Sequence, residues 1–509
     1  MKSPPKRRSS RIHFVSLGCP KNRVDSEVMM GVARERGFEP TDEAERAEVI
    51  VINTCGFIEA AKRESIDTIL ELSELKRAGA CKKLVVTGCL SQRYSGDLAA
   101  ELPEVDHFLG SSDMLKLGSV LKGEAPRVWV GNPADWVIQA SDPRTLSTRG
   151  ASAYLKIAEG CNRNCGFCVI PEIRGKQRSR RIEDIVREAE QLAAQGVLEL
   201  NLVSQDTVAY GRDLAPAETL AALLEQLLGV KGIAWLRLHY LYPEKLDARL
   251  LELLSGSRGD APHPGDRSPP RPGSPQLLPY IDMPLQHAAP VMLKRMRRGG
   301  STDLRAVVRR LREAVPQAVL RTSFIVGHPG ETDEEFAQLL EFVRDVEFDH
   351  VGVFQYSDEE TCASHALDGK IDEQTCAERA EQLIELQRGI TLRKNEARVG
   401  QELSVLVEGA SEESDLVMVG RHAGQAPEVD GAVYLSHGPV RPGTLCTARV
   451  VSATEYDLLA EAHPNVDEPG TETAPAARRA KSPEGKASAA ETSKPVERRR
   501  GVIALRTIS

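Results

Sequence analysis

The chain has 509 residues, 41% of them hydrophobic, and a formal net charge of -8. That length suits several domains of about 150 residues each, and the acidic balance offers no global basic field for gripping nucleic acid. No apolar run approaches the ~20 residues of a membrane span, and the basic, polar start of the chain lacks the apolar core of a secretory signal, so a cytoplasmic protein without a membrane partner is expected. Ten cysteines in such a chain point to metal binding or catalysis rather than disulfides.

Residues 12–16, 48–53 and 83–87 read as short buried strands, and 58–78 has helical spacing. Strands alternating with helices predict a parallel α/β sheet. Each of the three strands runs into a cysteine, in Ser16-Leu-Gly-Cys19, Asn53-Thr-Cys55 and Thr87-Gly-Cys89. Ligand sites in open parallel sheets gather beyond the carboxyl ends of the strands, so these thiols are expected to converge into a three-cysteine cluster. A single buried cysteine is ordinary as a small hydrophobe; three at equivalent strand ends are not. Cys81, Cys362, Cys376 and Cys446 lack this context and read as structural or incidental.

A second α/β unit begins near residue 151, where the strand at 153–157 leads into Gly160-Cys-Asn-Arg-Asn-Cys-Gly-Phe-Cys168. A loop with this spacing can wrap Cys161, Cys165 and Cys168 around one face of an iron–sulfur cube. No fourth cysteine lies nearby, so one iron would be left open to a small molecule. Structural zinc is the competing reading, but it needs four ligands, and the nearest downstream histidine is His239. A helix at 181–195, strands at 198–203, 235–239, 320–326 and 351–354, and a capping box at Thr332–Glu335 follow. Repeated βα units predict a full or partial barrel, with its active site at the carboxyl-end mouth beside the Cys161 loop. Gln205 and Asp206 follow a strand to that mouth. The basic run Arg174, Lys176, Arg178, Arg180 and Arg181 reads either as a solvated face or as a carboxylate-binding group.

Residues 256–276 are dominated by Pro, Gly and Ser and read as a flexible insertion. A long helix at 372–397 precedes short alternating segments after Gly400 that suggest a small all-β barrel. The expected domains are 11–125, 147–397 and 400–462, with a disordered tail at 463–509.

The Cys161–Cys168 spacing, with Phe167 before the last cysteine, resembles the radical S-adenosylmethionine (SAM) signature. The whole plan resembles the methylthiotransferase family over about residues 11–460: an N-terminal parallel-sheet domain, a radical SAM barrel core and a small C-terminal TRAM-like barrel. Gly18–Glu27, Asn53–Phe57, Thr87–Cys89, Asp282–His287 and Thr322–Glu331 carry it. One branch of that family modifies an isopentenylated adenosine in transfer RNA. The other modifies the β-carbon of an aspartate in the twelfth small-subunit ribosomal protein, and the segments after Cys19 and Cys55 look like this second branch.

The resemblance implies two 4Fe-4S clusters, one on Cys161, Cys165 and Cys168 and one on Cys19, Cys55 and Cys89. It implies SAM as methyl donor and as source of the radical that removes a hydrogen from the aspartate. Phe167, Gln205, Asp206, Gln286, His287 and Gly327 are the expected cofactor contacts, Phe167 equally as ordinary packing; no catalytic side chain is assigned. The expected partners are the ribosomal protein, free or in the ribosome, and donors of sulfur and electrons. The basic end of the tail, Arg498 to Arg500, would add weak contact with ribosomal RNA. Residues 400–460 hold nine acids against three bases, which suits a basic protein partner better than RNA. A transfer-RNA methylthiotransferase and a non-catalytic iron–sulfur or zinc module are the competing readings.

Overall fold

A computed structural model describes residues 10–148, 151–243, 246–256, 276–299, 303–412, 414, 417–436 and 440–463. The expected insertion at 256–276 lies outside the described residues except for its two ends, as does the tail after His463.

The N-terminal strands are β1 (Ser10–Ser16), β2 (Phe38–Pro40), β3 (Val49–Thr54), β4 (Lys83–Gly88), β5 (His107–Leu109) and β6 (Val128–Trp129). They pair in parallel in the order β2-β1-β3-β4-β5-β6. β3 reads Val-Ile-Val-Ile-Asn-Thr and is buried at every residue, as a parallel strand covered on both faces must be. Helices α1 (Pro20–Glu35), α2 (Glu59–Ala78) and α3 (Cys89–Glu101) follow β1, β3 and β4. Pro20 occupies the first turn of α1, where its missing N–H costs nothing. The register sets Ser16 opposite Asn53 and Asn53 opposite Thr87. Three strand ends therefore lie in one row, and the cysteines that follow them emerge along one edge.

In the core, β7 (Ser152–Lys156) runs into a two-residue ribbon of β8 (Ala158–Glu159) and β9 (Arg178–Ser179). The further strands are β10 (Glu199–Val203), β11 (Trp235–Leu238), β12 (Gln276–Asp282), β13 (Val319–Val326) and β14 (His350–Gln355). They form an open six-stranded parallel sheet, β14-β13-β12-β11-β10-β7, so the barrel is partial. Leu200, Leu202, Leu236 and Leu238 pack against Ile185, Ala189 and Leu192 of the helix Ile182–Ala194. The capping box is present: Thr332 accepts from the Glu335 N–H, and the Glu335 carboxylate accepts from the Thr332 N–H.

The last five strands, β15 (Glu402–Ala410), β16 (Met418–His422), β17 (Val433–Ser436), β18 (Leu445–Ala453) and β19 (Leu458–Ala462), close into a barrel. Val405, Val407, Val433, Leu435, Val450 and Leu458 fill it. Buried charge docks the barrel on the core. Arg421 lies 2.5 Å from Glu199 and 2.6 Å from Glu408, and Arg237 lies 2.9 Å from Glu199. Tyr280 donates to Asp430 at 2.7 Å, and the more exposed Glu428 reaches Arg23 on α1 of the N-terminal domain at 2.8 Å. Part of the barrel's acidic excess is thus spent on internal docking rather than presented outward. No helix of the described residues is long and apolar enough to cross a membrane.

Candidate active site

Both groups of three cysteines stand at the carboxyl ends of their sheets. Cys161, Cys165 and Cys168 occupy the loop after β8. The Cys161 N–H donates to the Gly175 carbonyl at 3.1 Å, and the Gly166 N–H donates to the Met296 carbonyl at 2.9 Å. Gly160 has φ of 78°, and a Cβ there would stand 2.3 Å from the Lys176 carbonyl oxygen. Only glycine lets the loop pass that close. The Arg163 N–H donates to Cys161 Sγ at 3.4 Å. Its guanidinium lies over the Tyr242 ring at 3.8 Å, with Arg298 over the same ring at 4.0 Å. Tyr242 Oη is 3.6 Å from Cys165 Sγ. Burial pushes the Cys161 thiol up to about 11 and raises Cys168, helped by the neighbouring Cys165 and Cys161.

Cys19 caps α1, Cys55 follows β3, and Cys89 opens α3. A Cβ on Gly18 (φ 85°) would sit 2.8 Å from the Cys55 Cβ and 3.0 Å from its Sγ. The Ser65 hydroxyl accepts from the Cys55 N–H at 3.0 Å and donates to its carbonyl at 2.9 Å. Asn22 donates to the Leu17 carbonyl at 2.9 Å and the Thr54 carbonyl at 3.0 Å, which ties the first two loops together. Burial, then the nearby Cys89 and Cys19, push the Cys55 thiol up.

Buried charge joins the two groups. Arg174, at the end of the short helix Ile170–Arg174, donates to Cys89 Sγ at 3.4 Å and to Asn22 Oδ1. It also meets Asp25 at 2.7 Å and Glu159 at 3.3 Å. Lys156 meets Asp25 at 2.5 Å and Glu159 at 2.7 Å. Burial alone would raise the Glu159 carboxyl, but Lys156 and Arg174 hold it well below the ordinary range. Lys21 donates to the Ser204 carbonyl at 3.4 Å and stands 3.7 Å over the Tyr240 ring. Burial lowers its ammonium, against the pull of Cys19.

The expected contact residues divide. Gln205 donates to Glu159 at 2.7 Å, Asp206 accepts from Arg163 at 2.7 Å, and Gln205 Oε1 and Asp206 Oδ1 remain buried without a hydrogen-bond partner among the described residues. Such orphaned acceptors at a mouth are where a polar ligand would bind. Phe167 and Gln286 are half-buried, the latter at φ of 72°. His287 has partners within the fold. It is fully buried, its Nδ1 accepts from the Ala289 N–H at 3.0 Å, and its Nε2 lies 3.2 Å from Glu331, so its ring is a structural brace. Gly327 has φ of 76°, and a Cβ there would meet Cys376 Sγ at 2.1 Å; its freedom serves helix packing. The basic run divides: Arg174 and Arg180 are buried, Arg180 pairing with Asp184 and Glu188, while Lys176 and Arg181 are exposed. Sequence reading missed Asp25, Lys156 and Glu159. For Lys156 the signal was present, since a charged residue inside a run that reads as buried strand demands a partner; Asp25, on α1, and Glu159, past that run, carried no such signal.

Among the described residues, no three His, Cys, Asp or Glu side chains close around a single metal ion. Thiols spread over the corners of an iron–sulfur cube stand farther apart than the ligands of one ion, and all-cysteine donors suit such clusters. Three thiols at each site, with glycines clearing the approach, fit that group.

Fold and site define a radical SAM protein carrying an added cysteine-bearing α/β domain and a β-barrel. The model for the radical SAM superfamily matches residues 155–265 and 271–343. That for uncharacterized protein family UPF0004 matches 11–110, and that for the TRAM domain matches 399–462. The ribosomal protein uS12 methylthiotransferase RimO of Sorangium cellulosum is 60% identical over 460 residues, covering 89% of this chain and 91% of the relative. The protein of the same name from Myxococcus xanthus is 48% identical over 451 residues, covering 88% and 91%. A solved structure of the radical SAM methyltransferase TsrM from Kitasatospora setae covers 68% of this chain and 73% of its own, at 17% identity and a TM-score of 0.46. The chain belongs to the RimO family of ribosomal protein uS12 methylthiotransferases.

Proposed function

We propose that this chain is a radical SAM methylthiotransferase that adds a methylthio group to an aspartate β-carbon in ribosomal protein uS12. The observation that carries the reading is the pair of three-cysteine sites at the carboxyl ends of two sheets, joined by Arg174. The names of relatives up to 60% identical over 89% of the chain support the reaction and its target.

Cys161, Cys165 and Cys168 would hold one 4Fe-4S cluster with an iron left open for SAM. Cys19, Cys55 and Cys89 would hold a second, with an iron left open for sulfur. Bound there, clusters and SAM supply the electron, the radical, the methyl group and the transferred sulfur, chemistry that no side chain can perform. The chain's own part is placement. Arg163 and Arg298 clamp Tyr242 beside Cys165, fixing the loop. The free oxygens of Gln205 and Asp206 offer acceptors for an ammonium or hydroxyl group. Val169, Ile173 and Phe57 pack with Cys89 and keep water from the second site. An aspartate methylene is not acidic enough for a protein base at neutral pH, so radical abstraction is the sensible route. Donors of sulfur and electrons are implied partners.

Mass spectrometry of uS12 from cells with and without this gene tests the proposal. Loss of a methylthio increment from an aspartate peptide on deletion is the expected result. An unchanged uS12 with altered transfer-RNA adenosines would overturn it.

A further inference from the structure

Arg174 belongs by sequence to the SAM-binding half of the molecule, yet its guanidinium ends in the other half. The Cys161 N–H donates to the Gly175 carbonyl, one residue past Arg174, so this arginine is fixed to the first cysteine loop. From there its Nη2 reaches Cys89 Sγ at 3.4 Å and Asn22 Oδ1. Its Nη1 meets Asp25 Oδ2 at 2.7 Å and Glu159 Oε2 at 3.3 Å. The residue is 2% exposed. Beside it Ile173, Val169, Cys362 and Phe57 pack with Cys89 as an apolar cover. In such surroundings a charge-assisted hydrogen bond is not screened by water.

The neighbouring charges let an arginine be tolerated there. Arg174 and Lys156 face Asp25 and Glu159, two positive groups against two negative. The set is neutral, so Arg174 does not bring an uncompensated charge to the cysteine. What it delivers is a fixed N–H donor, aimed at one sulfur of three. Hydrogen bonds to ligand sulfurs are among the factors that set the potential of an iron–sulfur centre.

We infer that Arg174 is a positioning residue of the SAM-binding core that acts on the second cluster, holding the Cys89 thiolate by a hydrogen bond and raising that cluster's reduction potential. The inference rests on the proposal that Cys19, Cys55 and Cys89 hold a cluster. It makes the second site a property of both halves of the chain. Glu159 continues the connection to the barrel mouth, where Gln205 donates to it at 2.7 Å.

The test is a redox titration of the reconstituted full-length protein, followed by electron paramagnetic resonance, for wild type, Arg174→Gln and Arg174→Lys. Iron is counted in each. The expected result is a lower midpoint for the second cluster in Arg174→Gln, with the Cys161–Cys168 cluster unmoved. A tenfold change in the oxidised-to-reduced ratio at the wild-type midpoint corresponds to ~59 mV for one electron. Arg174→Lys keeps a donor and is expected to lie between the two. Unchanged midpoints with full iron would overturn the inference and leave the two-cluster reading standing. Loss of the second cluster from both variants would also overturn it, since Arg174 would then be only a structural post. A wild-type protein with only about four irons would remove the two-cluster reading and the inference with it.

Discussion

Lys156 Nζ lies 2.5 Å from Asp25 Oδ1, and neither side chain is exposed. The pair joins the first strand of the SAM-binding core to the first helix of the N-terminal domain. Removing one partner leaves a buried charge uncompensated, which costs about 3–5 kcal/mol. Lys156→Met is expected to lose that much in denaturant unfolding. Pairing it with Asp25→Asn should recover part of the loss, because contacting charges do not add independently. Strict additivity of the two single losses would contradict the account.

Gly327→Ala should destabilise by about 2–4 kcal/mol, from overpacking against a buried sulfur and from a left-handed backbone. The clash is specific, with Cys376 Sγ at 2.1 Å and its Cβ at 3.1 Å. Adding Cys376→Ala should therefore restore stability to within about 1 kcal/mol of the Cys376→Ala single variant, leaving the backbone cost. A double variant as unstable as Gly327→Ala alone would count against this geometry.

His328 titrates against folding. Burial holds it down at about 4, against 6.5 ordinarily, with the ionisable groups Glu331, His287 and Arg295 nearby. Between those values the unfolded chain binds more protons than the folded one. Stability therefore falls as pH drops from 6.5 towards 4, by up to ~1.4 kcal/mol per pH unit. In cluster-free protein the thermal midpoint of His328→Asn should fall less between pH 7 and pH 5 than that of the wild type. Equal slopes would refute the assignment.

Glu199 receives Arg421 from the barrel and Arg237 from the core. Burial would raise its carboxyl, and these two guanidiniums hold it low instead. Arg421→Met should loosen barrel docking by about 3–5 kcal/mol. Faster proteolytic cleavage between the helix Glu373–Glu396 and β15, at unchanged iron content, is the expected reading. Cleavage at the wild-type rate would show that the barrel is held by other contacts.

Much of this molecule is legible in its sequence. The apolar runs of β1, β3 and β4 and their terminal cysteines announce both a parallel sheet and the edge at which the three thiols gather. The Cys161 loop is legible because three cysteines at fixed spacing leave few alternatives. The partial closure of the core was not legible, since strand periodicity does not say whether the two end strands meet. The internal partners of His287 were not legible, because a motif position carries no information on which way the ring points. Arg174 misled because a basic run looks the same whether solvated or buried. Only the register of two sheets, and the fall of one helix end against Cys89, decides that Arg174 belongs to both halves.

Iron analysis of the anaerobically reconstituted protein tests the central claim most directly, made on wild type and on Cys→Ala triples at Cys19, Cys55 and Cys89 or at Cys161, Cys165 and Cys168. Two cysteine sites, each holding one four-iron cluster, require about eight irons in the wild type and about four in either triple variant. About four irons in the wild type, with no loss in the triple at Cys19, Cys55 and Cys89, would contradict the account.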